Sequence, residues 1–392
     1  MKWADAITVW VFRRLARVGT LHVQLATGEQ VTIGSGAPEA DVAIRDRRVV
    51  LDIVREGLTG FAESHMSQRL ETTSLERLIA WGLANQTAWF EHPVARATAP
   101  MRRMWQRIRP ERRHPRVRTM NEHYNLGNDF YAAWLDSTMT YSSARFEHPA
   151  QPIEDAQLHK YQAISTHAGL APGMKVLEIG CGWGGFAEYA AKNVGCDVVG
   201  ITLSEEQASY AGKRMANAGL ADQVDIRVED FRRTEHTYDA VVSIEMIESV
   251  DENHWPPLFR TISDRLKPGA KAVMQVITIG DPHWESYRRR ADFIQQYVFP
   301  GGQLPAPKVL RRLGAEAGLV VDQIETFGPD YARTLEIWRA RFNASWERLQ
   351  GPQGLDERFR RMWELYLILC EAGFRMGRIN VEQWVFHKPA AV

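Results

Sequence analysis

Residues 177–190, LEIGCGWGGFAEYA, set Gly180, Gly182 and Gly185 in G-x-G-x-x-G register directly after an apolar run. Glycine lets a backbone turn tightly and come close to a ligand that a β-carbon would hold off, and the helix that follows opens with unpaired N–H groups. The surrounding acids select the ligand. A dinucleotide wants a carboxylate at the end of the second strand for its ribose. Here that end reads Gly200, Ile201, Thr202, and the first acids, Glu205 and Glu206, already belong to the next helix. S-adenosylmethionine has no phosphate and carries a sulfonium cation. Glu178 beside the loop, with Glu229 or Asp230 after the third strand, suits that cation and the adenosine. The plainer alternative, glycines serving only strand-to-helix packing, is disfavoured because three strand ends converge at the switch point of the sheet.

These residues need a scaffold, and the chain spells one out. Residues 175–179, 197–201, 224–228, 239–244 and 271–279 are Val- and Ile-rich runs separated by helix-length connections. That pattern predicts an α/β fold: a mostly parallel, doubly wound, Rossmann-like sheet. Two more strands, 319–327 and 380–388, flank a helical insertion over 334–376, and insertions of that length build over a ligand-binding edge. Earlier, LHVQLATGEQVTIG (21–34) alternates around Thr27 and Gly28 as a hairpin does. Residues 41–54 read as a strand then a helix, and helical stretches run over 74–89, giving a small α+β unit over residues 1–100 without a catalytic constellation.

Composition narrows the partners. A chain of 392 residues exceeds one ordinary domain. Cys181, Cys196 and Cys370 form no metal-ligand spacing and no even disulfide set, which favours a reducing cytoplasm and no metal site. The first residues make a poor secretion signal, with Asp5 inside the apolar run, and no run of about 18 apolar residues spans a bilayer. Net charge is zero, which argues against a nucleic-acid binder. Residues 101–118 depart from this balance: eight arginines face one Glu111, and Met101, Met104, Trp105 and Ile108 recur at helical spacing up to Pro110. Such a basic amphipathic helix suits the anionic inner face of a membrane, or else packs its stripe on its own domain.

Seven blocks follow in unbroken order: HYNLGNDFY (123–131), DSTMTYSS (136–143), VLEIGCGWGGFAEYAA (176–191), GITLSEEQ (200–207), SIEMIESV (243–250), DFIQQYVFPGG (292–302) and DYARTLEIW (330–338). Together they resemble the cyclopropane-fatty-acid synthase family of S-adenosylmethionine-dependent enzymes. The resemblance implies a small, lipid-carrier-like domain over residues 1–100, a basic linker over 101–120 and a methyltransferase domain over 121–392. It further implies chemistry at the cis double bond of a phospholipid acyl chain. The alkene attacks the activated methyl of the cofactor, a carbocation remains, and loss of a proton from the new methyl closes a cyclopropane. If the cation loses a proton from the chain instead of from the methyl, the product is a methyl-branched or methylene alkene with no ring. The family's base is a bound bicarbonate, held by a cysteine in a YSC motif, a glutamate, a histidine after the fifth strand, a backbone group two residues on, and a tyrosine.

Carried over residue by residue, the resemblance assigns Tyr141, Ser142, Glu178, Gly180, Gly182, Thr202, Gln207, Glu229 and Asp230 to the cofactor. Glu248 matches the glutamate, Tyr331 the tyrosine and Ile279 the backbone position, while Ser143 stands for the cysteine and Ile277 for the histidine. Serine still donates to bicarbonate, whereas isoleucine has no side-chain donor, so the base is either that ion or Glu248. Glu245, where relatives often have glycine, lies three positions before Glu248: on a helical turn the two carboxyls would face together and raise one pKa, or else Glu245 faces solvent. Trp284, Tyr287, Phe293, Tyr297 and Phe299 follow the fifth strand and either offer π faces to the cation or fill a core. A small soluble methyl acceptor and a non-catalytic lipid-binding protein are the competing functions, and a homodimer is compatible with the sequence.

Overall fold

The computed structural model describes residues 3–85, 126–289, 291–351 and 354–390; the basic segment 101–118 and the start of the HYNLGNDFY block lie outside them. The chain divides into two compact units. One joins Met1–Val117 with Asp292–Val298 and Trp346–Ala372; the other joins Arg118–Ala291, Phe299–Ser345 and Gly373–Val392. The first unit therefore takes in two segments from far along the chain as well as the N-terminal region.

In the first unit four strands, β1 (Gly19–Gln24), β2 (Gln30–Ser35), β3 (Glu39–Ile44) and β4 (Leu70–Glu71), form a sheet in the order β2-β1-β3-β4. Gly28, at φ +87°, turns the expected β1–β2 hairpin, a backbone conformation that glycine adopts freely. Alternate residues Leu21, Val23, Val42 and Ile44 face a core shared with Phe12, Leu78 and Trp81. Ser74 accepts from Arg77 N–H and starts the helix Leu75–Ala84.

The second unit is built on seven strands: β5 (Lys175–Ile179), β6 (Asp197–Thr202), β7 (Val224–Val228), β8 (Tyr238–Ile244), β9 (Leu266–Ile279), β10 (Val320–Thr326) and β11 (Ile379–His387). Their order is β10-β11-β9-β8-β5-β6-β7; β5 to β9 are parallel, and β11 runs antiparallel to both β9 and β10. Successive residues of a strand point to opposite faces. Accordingly Leu177, Val241 and Met274 enter one apolar core and Val176, Val242 and Val273 the other. Burial on both faces explains why the strands read as continuous apolar runs. The chain leaves β5 for β6 and β7 on one side and returns to β8 on the other, so the crevice of a doubly wound fold opens at the carboxyl end of β5. Among the described residues, no helix is long and apolar enough to cross a membrane.

Candidate active site

At that crevice Gly180 and Cys181 donate their N–H groups to the Ile201 carbonyl at 2.9 and 3.0 Å, tying the glycine loop to β6. Gly180 and Gly182 are left-handed, at φ +85° and +52°. A β-carbon on Gly180 would lie 2.6 Å from Met246 Cγ, while one on Gly182 would meet nothing within 4 Å. Gly182 thus borders open space that a side chain would fill. Glu178, at the end of β5, is buried and accepts from Ala187 N–H; burial pushes its carboxyl up to about 8, and the Lys160 charge opposes the rise. Its Oε2 is buried with no protein partner. Thr202 donates to Gln207 Oε1 at 2.8 Å, and Ser204 caps the helix Glu205–Asn217. Glu229 N–H donates to the Thr202 carbonyl, bringing the ends of β6 and β7 together. Asp230 is engaged by Arg232 at 2.9 Å, and that guanidinium holds its carboxyl below the ordinary range. The open face at Gly182, the orphaned oxygen of Glu178 and the acid at Glu229 fit a cationic, adenosine-bearing cofactor.

Beside the loop, four elements converge on one carboxylate. Glu245 follows β8 at φ +48°, a left-handed conformation that costs a non-glycine residue about 1 kcal/mol. Its Oε1 accepts from Ser143 N–H at 2.8 Å and from Gln275 Nε2 at 2.7 Å, and its Oε2 accepts from the Tyr331 hydroxyl at 2.6 Å. Three donors aimed at one carboxyl favour its ionised form. Burial raises its pKa, and the bonds from Tyr331, Gln275 and Ser143 restrain the rise. Gln275 is itself held across the sheet, accepting from Gln383 Nε2 at 3.0 Å. Glu248 faces elsewhere. Its Oε1 accepts from Ile277 N–H at 2.5 Å, its Oε2 is buried without a partner, and burial reinforced by the Glu245 charge pushes it up to about 8.

The remaining named residues fall in varied places. The Ser143 hydroxyl donates to the Ala144 carbonyl, and Ile279 N–H donates to the Pro305 carbonyl. Ser142 Oγ accepts from Lys160 Nζ at 2.7 Å. Tyr287 accepts from Leu304 N–H and packs on the sheet core, where Trp284 is buried. Tyr297 lies in the first unit, stacked on Phe293, and its hydroxyl donates to Glu63. An aromatic cluster adjoins Tyr331: Tyr141 meets Tyr131, Trp134 and Trp338 with centroids 5.3–5.5 Å apart, Trp338 meets Tyr331 at 6.1 Å, and all but Tyr141 are buried. Sequence reasoning missed this cluster together with Gln275 and Lys160. Tyr131 and Trp338 close two of the seven blocks, and that was the available signal.

A doubly wound sheet with a glycine loop and orphaned acid at its switch point defines the class of S-adenosylmethionine-dependent methyltransferases. The chain belongs to the mycolic acid cyclopropane synthetase family, whose profile matches residues 111–384. It is 37% identical over 387 residues to tuberculostearic acid methyltransferase UfaA1 of Mycobacterium tuberculosis, covering 95% of this chain and 89% of that one. It is 32% identical over 370 residues to the cyclopropane-fatty-acyl-phospholipid synthase of Escherichia coli, covering 93% and 92%. The crystal structure of mycolic acid cyclopropane synthase CmaA1 complexed with SAH and CTAB matches with a TM-score of 0.65 and 28% identity, over 70% of this chain and 99% of that one. The protein is an S-adenosylmethionine-dependent enzyme of lipid modification.

Proposed function

We propose that the enzyme methylates the cis double bond of an unsaturated acyl chain carried by a phospholipid, that Glu245 is the base, and that it takes its proton from the chain carbon beside the cation, leaving an open, methyl-branched alkene. The observation that carries this reading is the convergence of Ser143 N–H, Gln275 and the Tyr331 hydroxyl on the Glu245 carboxylate. S-adenosylmethionine, when bound, supplies an electrophilic methyl, and as it passes to one alkene carbon the positive charge moves from sulfur to the neighbouring chain carbon.

The protein's own groups then have one proton to remove. Glu245, whose pKa burial raises, is a stronger base than an exposed carboxylate. Tyr331 and Ser143 aim it. Glu248, pushed up to about 8, keeps its proton at pH 7, so the two carboxyls differ in charge. Tyr141, the partly exposed ring of the aromatic cluster, offers a π face to a cation. The donors that the family resemblance assigns to bicarbonate are spent: the Tyr331 hydroxyl on Glu245, the Ser143 hydroxyl on the Ala144 carbonyl and Ile279 N–H on the Pro305 carbonyl. This favours a built-in base over a bound ion and over Glu248. A bilayer substrate requires work at a membrane surface, for which the arginines of residues 101–118 are suited.

The test is mass spectrometry of acyl chains after incubation with trideuteromethyl cofactor and vesicles of a cis-monounsaturated phospholipid. Label in an open-chain product, formed equally well without added bicarbonate, is expected. Ring-specific fragments retaining two deuteriums would overturn the open-chain product and the exclusion of ring closure, and label transferred only to a soluble acceptor would overturn the lipid substrate.

A further inference from the structure

Lys160, on the helix Ile153–Ala168, has no exposed surface. Its Nζ donates to Ser142 Oγ at 2.7 Å and stands 4.5 Å from the centre of the Tyr161 ring. Nearly one turn earlier, Gln157 Nε2 donates to the Ser142 carbonyl at 3.0 Å. One helix face therefore grips Ser142 by both side chain and backbone, and the next residue, Ser143, gives its N–H to Glu245. The charged groups facing Lys160 come from three other elements: Glu245 after β8, Asp136 after the helix Asn128–Ala132, and Glu178 on β5. Arg214, the other cation that faces Glu178, is already paired with Glu188. A buried ammonium persists only among such partners.

Building on the reading of Glu245 as base, we propose that Lys160 is the positioning residue of this site: it fixes the Ser142 and Ser143 backbone against Glu245 and supplies the positive charge that balances the Glu245 carboxylate. Burial pulls the amine down to about 7, and Glu245 is the largest influence pulling it back. The titratable groups facing Glu245 are Lys160, the Tyr331 hydroxyl and Glu248, beside the neutral donors Ser143 N–H and Gln275.

Two measurements test this. In turnover against pH, Lys160→Met is expected to lower kcat about tenfold at pH 7 and to move the acidic limb upward by about one unit, because Glu245 then holds its proton to higher pH. Lys160→Arg should restore the limb, and Gln157→Ala, which loosens Ser142 without removing charge, should lower kcat with the limb in place. The second readout needs no turnover: in cofactor-free protein carrying ε-13C lysine, the resonance that Lys160→Arg deletes is expected to titrate near 7, and at lower pH in Glu245→Gln, where the carboxylate favouring the ammonium is gone. A limb unmoved in Lys160→Met, or a midpoint unmoved by Glu245→Gln, overturns the inference. Full turnover by Glu245→Gln would instead overturn the assignment of Glu245 as base.

Discussion

The Tyr331 hydroxyl meets Glu245 Oε2 at 2.6 Å, joining two residues 86 positions apart. Glu245 stands at the switch point of the sheet, and Tyr331 belongs to the long helix Gly328–Gln350, its ring stacked on Phe374 at 4.4 Å. The first turn of this helix therefore orients a group in the crevice.

Removing the carboxylate separates chemistry from binding. Glu245→Gln is expected to lower kcat by about 10²–10⁴-fold, the range of a lost general base, with cofactor affinity by calorimetry close to wild type. Glu245→Gly relieves about 1 kcal/mol of strain at φ +48° yet should melt lower, since three buried donors lose their acceptor. It also frees Ser143 N–H and the Tyr331 hydroxyl, so added bicarbonate should restore part of its turnover while leaving wild type unaffected.

Tyr331→Phe deletes a bond that favours the ionised form of Glu245. A hydrogen bond to a charged group is worth about 1.5–3 kcal/mol, so turnover at pH 7 should fall at least about tenfold. The loss shrinks as pH rises, because the Glu245 pKa moves upward; a pH–rate profile displaced to alkaline values checks it.

Stability should fall between mildly acidic and alkaline pH. Glu178 and Glu248 stand at about 8 in the fold against 4.5 ordinarily. The folded state holds protons that the unfolded chain releases, so their contribution is complete below 4.5 and lost as pH climbs through 8. Thermal melts of wild type should decline from pH 5 to pH 8.5, and Glu248→Gln should flatten that decline.

Two glycines of one loop should respond differently. Gly180→Ala drives a β-carbon to 2.6 Å from Met246 Cγ and is expected to lower the melting temperature markedly. Gly182→Ala points its β-carbon into open space, so beyond about 1 kcal/mol of backbone strain its main effect should be cofactor affinity weakened tenfold or more in calorimetry.

The sheet was legible because strands buried on both faces leave an unmistakable trace, as where Val176 and Leu177 serve opposite cores from adjacent positions. The glycine loop was legible from spacing. Glu245 was legible only as a residue. Its spacing from Glu248 suggested a shared helical face, yet Glu245 precedes the turn Ile247–Ser249 in a left-handed conformation, which sends its carboxyl to Ser143 and Tyr331 while Glu248 turns to Ile277. Those contacts span 102 and 86 positions, beyond any local pattern. Lys160 left a fainter trace, recurring with Ile153, Ala156, Gln157 and Ile164 on the buried face of its helix. Tyr297 followed a different rule: its segment, Asp292–Val298, leaves the second unit for the first, a detour that block order along the chain does not reveal.

The left-handed backbone at Glu245 also bears on how such a site changes over generations. Glycine fills that conformation without strain, and the codons for glycine and glutamate differ by a single nucleotide in their second position. On the reading of Glu245 as base, a lineage can thus gain or discard a tethered carboxylate in one mutational step, on a backbone that already has the shape either residue needs.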